Sequence, residues 1–168
     1  MGLNLENIFV KTESGSDVAR WVQSFLKGDE MGPVSVSGWS APVTEPFHPP
    51  DKRKVAVSVG EANWVTVVAS DEIASLSLAL HLSASLGTEA VVAQLYEVAG
   101  SCGHTLCRNG AIIESVRNED SEDPLGDVVS VLRRHGIESC LVSFREAVAK
   151  RDQGWVLVKK APGRRISS

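Results

Sequence analysis

Residues Trp64–Val116, WVTVVASDEIASLSLALHLSASLGTEAVVAQLYEVAGSCGHTLCRNGAIIESV, decide the fold. Trp64 to Ala69 is rich in β-branched residues and reads as a strand. Ser70 is placed to cap a helix, with Asp71 and Glu72 in its first turn, where carboxylates suit the helix dipole. That helix carries two apolar stripes. Ile73, Leu76, Leu80 and Ala84 form one; Leu78, Leu82 and Leu86, with Ala79 beside them, form the other. At about 100° per residue the two lie nearly opposite, so the helix needs apolar cover on both sides. The first stripe is expected on a sheet. The second is expected under a later helix of the chain or at a subunit interface. Gly87 ends the helix, and Thr88 to Val98 is again β-prone. Gly103–Cys107 and Ala111–Val116 then flank Asn109-Gly110, the dipeptide of a tight hairpin turn with positive φ.

Toward the N-terminus, Asn7–Lys11 reads as a short strand and Ser16 as the cap of an amphipathic helix. Val18, Trp21, Val22, Phe25 and Leu26 share one stripe of that helix, and Gly28 stops it. Val34 and Val36 alternate with serines, as in a half-buried strand. Pro42, Pro46, Pro49 and Pro50 make Ala41–Pro50 an extended connector. Lys54–Val59 alternates valines and is expected to pair with Trp64–Ala69. Toward the C-terminus, the acidic run Glu119–Asp123 is a loop, and Asp123-Pro124 starts a helix with Val128, Val131 and Leu132 inward and Gly136 at its end. Ser139–Arg151 leans helical, Trp155–Lys159 is a strand, and Lys160–Ser168 is a basic tail.

These elements predict an α+β fold: a mixed or antiparallel sheet, helices packed mainly on one face, and two β-α-β-like units. The expected organisation is an N-terminal strand-helix-strand unit with its Pro-rich connector (1–50), a main unit (51–160) and the tail (161–168). The element order is similar to that of small bacterial accessory domains, an analogy of architecture that carries no activity.

The 168 residues, 43% hydrophobic and 23% charged, suffice for a hydrophobic core without a staple. A net charge of −4 gives no global pull toward nucleic acid or an anionic membrane. The N-terminus lacks a signal-peptide pattern, and the greasiest stretch is too short and polar to span a bilayer, so neither a membrane nor a nucleic-acid partner is expected. With three cysteines and no secretory signal, reduced thiols in a cytoplasm are expected.

No motif carries a reaction. Gly-x-Ser-x-Gly, Gly-x-Gly-x-x-Gly, Walker and calcium-loop patterns are absent. Cys102, His104 and Cys107 resemble metal ligands in type. In a regular strand, however, Cys107 faces away from the other two, so no metal and no other cofactor is expected. Cys102, in the glycine-bearing stretch Gly100-Ser101-Cys102-Gly103-His104, could be a nucleophile, but a small residue in a bend is the simpler reading.

The candidate binding residues are Trp39, which has little around it to bury it, and Trp64, Tyr96, Cys102 and His104 as the lining of a pocket between sheet and helices. Candidate interface residues are Leu78, Leu82 and Leu86 and the acidic Glu119, Asp120 and Glu122. The expected function is a non-catalytic cytosolic protein-binding or regulatory accessory module, immunity- or inhibitor-like. The alternatives are a ligand-binding or enzymatic domain built on that pocket, and a homo-oligomeric structural component using the leucine stripe.

Overall fold

The computed structural model describes residues 4–28, 54–59, 63–70, 73–139, 141–150 and 153–159. In chain order the elements are β1 (Asn4–Lys11), α1 (Gly15–Gly28), β2 (Lys54–Ser58), β3 (Trp64–Ala69), α2 (Ser75–Leu86) and β4 (Glu89–Tyr96). They continue with β5 (Ser101–Arg108), β6 (Ala111–Asn118), α3 (Pro124–Arg134), α4 (Phe144–Ala149) and β7 (Trp155–Lys159). The strand at Val34–Val36, the proline connector, Trp39, Cys140 and the basic tail lie outside the described residues.

The strands form one antiparallel sheet in the order β6-β5-β4-β1-β3-β2-β7, so the fold is α+β. β1 and β2 run parallel with β3 between them, linked through α1. β3 and β4 run parallel with β1 between them, linked through α2. The two crossovers interlock, each closing around a strand of the other.

Strand alternation sends side chains to two separate cores. Ile8 and Val10 of β1, Val55 and Val57 of β2 and Val65 and Val67 of β3 meet α1 and α2. Leu5, Phe9, Trp64, Val91 and Leu95 point the other way, toward Val128 and Leu132 of α3. Ala56 and Val68 extend that second face under Ala147 of α4. The helices thus lie on both faces, not mainly on one as expected. The physical reason is that central strands β1 to β4 are apolar on both sides, and a sheet greasy on both faces needs two covers.

The α1 stripe is as read: Val18, Val22 and Leu26 are buried, with Trp21 and Phe25 packed against them. Its cap differs. Ser14, not Ser16, accepts the Asp17 N–H through Oγ at 3.2 Å. Helix α2 starts at Ser75 and carries no side-chain cap. Ser70 instead closes the preceding turn, its carbonyl accepting the Ile73 N–H and its hydroxyl the Lys54 N–H.

The two stripes are not divided as expected: Ile73 of the first is buried in the α1–α2 core and Leu80 packs against it, but the second stripe lies deeper. Leu78 and Leu82, expected away from the sheet under a second cover, are fully buried in that core, and Leu86 packs against it. Leu76, expected on the sheet, is 36% exposed. The second neighbour of α2 is α1 rather than a later helix. The His81 ring rests against Trp21 and Phe25, and its Nε2 lies 3.1 Å from the Trp21 carbonyl.

Candidate functional site

The hairpin β5–β6 is fixed at its tip. Asn109 and Gly110 have φ of 50° and 81°, the left-handed pair that matches strand twist in a two-residue turn. The Gly110 N–H donates to Ser83 Oγ of α2 at 3.0 Å. A Cβ on Gly110 would come within 2.9 Å of the Ala84 Cβ, so the tip sits where only glycine fits.

Held in this way, β6 forms one edge of the sheet. All eight of its residues are exposed, including Ile112, Ile113 and Val116 at 50%, 52% and 47%. Among the described residues nothing pairs with its outer side. β7, at the other edge, is five residues long and ends in Lys159, which is how an edge is ordinarily blunted.

Beside β6, on the α3 side, lies an open cleft of about 530 Å³. Cys102, Gly103 and His104 of β5 form its floor, Glu114, Val116 and Asn118 of β6 one wall, and Asp127, Val128, Val131 and Arg134 of α3 the other. His104 is buried, and its Nε2 lies 3.1 Å from Glu114 Oε1. The His135 ring stands 6.3 Å from the His104 ring. Asp127 accepts the Ser121 hydroxyl at 2.5 Å and the Asn118 amide at 3.4 Å, which tethers the start of α3 to the end of β6.

Cys102 is a poor nucleophile in this setting. Burial, and then the Asp127 carboxylate, push its thiol above the usual value; a hydrogen bond with Ser121 opposes them. Reactive thiols have the opposite environment. Cys107 lies on the other face of β5 in the α1–α2 core, where burial alone raises its thiol. Among the described residues no cluster of three or more His, Cys, Asp or Glu side chains is arranged to hold a metal ion.

The expected pocket residues separate. Cys102 and His104 share the cleft. Tyr96 lines a smaller depression of about 280 Å³ near Asn4, Val142 and Phe144. Its hydroxyl contacts Glu6 at 3.3 Å, and burial together with that carboxylate raises its pKa. Trp64 is buried in the α3-side core and lines neither space. Glu119, Asp120 and Glu122 are exposed in the loop that leaves β6.

No protein family, no curated protein and no solved structure matches the chain.

Glu114, Val116 and Asn118 escaped the sequence reading, as did the cleft itself: Val128 and Val131 of α3 were read only as core. The sequence signal for the edge was partial. The Asn109-Gly110 turn marks Ala111–Val116 as the closing strand of a hairpin, but whether another strand, such as Trp155–Lys159, lies along its outer side is decided by the order of the sheet.

Proposed function

We propose that this chain is a non-catalytic, cytoplasmic protein-binding module of regulatory or accessory type, and that it takes its partner along β6. One observation carries the reading: β6 is a long edge strand, exposed at every residue, with three large apolar side chains about half exposed. An open edge presents unpaired N–H and C=O groups to any extended backbone, and natural proteins blunt such edges unless they use them. The buried free thiols Cys102 and Cys107 suit a reducing compartment. Among the described residues no helix is long and apolar enough to cross a membrane.

The test is a displayed library of random peptides panned on the full chain. Enriched peptides are expected to lose binding to an Ile113→Lys/Val116→Lys variant, whose half-exposed positions keep the loss of stability to about 1–2 kcal/mol, checked by its urea midpoint. Failure to enrich any peptide, or equal binding to the variant, would overturn the reading.

The cleft supports a second reading, a small-molecule site. Its volume lies in the range of ligand pockets, and apolar Val116, Val128 and Val131 face polar His104, Asn118 and Arg134 across it. A metabolite screen by thermal shift, repeated with Val131→Trp to fill the cleft, tests it. A stabilising compound that acts equally on both proteins would place the ligand elsewhere.

A further inference from the structure

The outer edge of β6 and the cleft are parts of one surface. Glu114, Val116 and Asn118 alternate along β6, and all three line the cleft. Their register with β5 is unbroken from Leu106↔Glu114 to Cys102↔Asn118; the irregularity comes earlier, between Leu106 and Cys107. A guest strand laid along Glu114–Asn118 meets regular backbone, and its own alternate side chains point toward α3. The guest residue opposite Val116 then lies over a wall that contains Val128 and Val131.

The edge runs straight into the acidic loop. Glu119 pairs with Arg117 at 3.2 Å, and Asp123 caps α3 by accepting the Gly126 N–H. The exposed side chains of Asp120 and Glu122 have no partner among the described residues.

Building on the protein-binding reading, we infer that the occupant is an extended segment of another protein that joins β6 antiparallel. It carries an apolar residue opposite Val116 and basic residues just N-terminal to its strand. Every strand pair of this sheet is antiparallel, and antiparallel ladders are the more stable per residue. In that direction the guest's N-terminal flank lies beside Asp120 and Glu122. A second copy of this chain fits less well. Self-pairing would set the acidic loop of one copy against the uncharged Asn109-Gly110-Ala111 of the other, and the nearby Arg108 is already paired with Glu89 at 2.6 Å.

Two fluorescent peptides of equal composition test this. Both contain a Thr-Val-Thr-Val-Thr run; one has lysines before it, the other after it. The first is expected to bind the full chain about tenfold more tightly at low salt, as several exposed ion pairs acting together allow. That preference should shrink at high salt and vanish in an Asp120→Asn/Glu122→Gln variant, while the second peptide binds both proteins alike. Hydrogen exchange should slow at β6 amides when the first peptide is bound. Equal binding of the two peptides, or a preference that survives the variant, overturns the inference. If neither peptide binds but library peptides do, the assigned chemistry falls and the protein-binding reading stands. Concentration-dependent protection of β6 without any peptide would mean that a second copy takes the edge, which also overturns it.

Discussion

Single side chains set what this surface can do. The Cys102 thiol is held up by burial and by Asp127, so little thiolate exists at neutral pH. A disulfide reagent at pH 7.5 should therefore modify native Cys102 far more slowly than the unfolded chain, and Asp127→Asn should speed the reaction. Fast modification of the native wild type would contradict this account. On the same face of the sheet, Asn7 is fully buried and clamps Val142 twice. Its Nδ2 donates to the Val142 carbonyl at 2.7 Å, and its Oδ1 accepts the Val142 N–H at 2.8 Å. Asn7→Ala removes both bonds and, because Val142 is only partly buried, should destabilise by about 1–3 kcal/mol in urea unfolding. Asn7→Asp keeps the acceptor and loses the donor. Little of this was legible in the sequence. Asn7 sits 135 positions from its partner, and a polar residue inside a strand gives no sign of what it will bond. The shared face of Cys102 and His104, opposite Cys107, was legible because a strand alternates with period two.

At the scale of elements, legibility followed the asymmetry of each helix. Helix α1 has one apolar face, so its inner side could be read directly. Helix α2 is apolar nearly all round, and its two stripes differ too little for the sequence to say which meets the sheet. The choice is made by neighbours. Ser83, next to Leu82, receives the hairpin tip through Gly110, and His81 sits against Trp21 and Phe25 of α1. Together these contacts turn Leu78 and Leu82 inward. Leu82→Ala should then cost about 2–5 kcal/mol, and Leu76→Ala, at a partly exposed site, under about 1 kcal/mol, in paired urea titrations. Equal losses would mean that both stripes are buried and would point to a partner on α2. The hairpin itself was legible because Asn-Gly names its turn. That its second strand would be an edge depended on where β4 and β5 lie in the sheet, which no local pattern encodes.

Across the whole molecule, the order of the sheet explains why central segments had to be greasy on both sides while β6 did not. β1, near the start of the chain, is inserted between β3 and β4, so it is covered by α1 and α2 on one face and by α3 on the other. The acidic groups that burial affects are spread over this same frame: Cys107 on the α1–α2 side, Cys102 on the α3 side and Tyr96 at the end of β4. All three are weaker acids when the protein is folded, by burial first in each case. Below the usual thiol pKa all three are protonated in both states and the fold loses nothing. As pH rises through that range, the unfolded chain gives up its thiol protons while the folded chain retains them, so stability falls; Tyr96 adds its share above about pH 10. The urea midpoint is therefore expected to be flat from about pH 7 to 8 and to decline from about pH 8.5 upward. Cys107→Ala lowers the midpoint at every pH by opening a small cavity, yet it should make the alkaline decline shallower, because one of the groups that drives it is gone. A wild-type midpoint that holds steady to pH 10, or a Cys107→Ala slope as steep as that of the wild type, would show that burial of these groups does not set the alkaline limit of the fold.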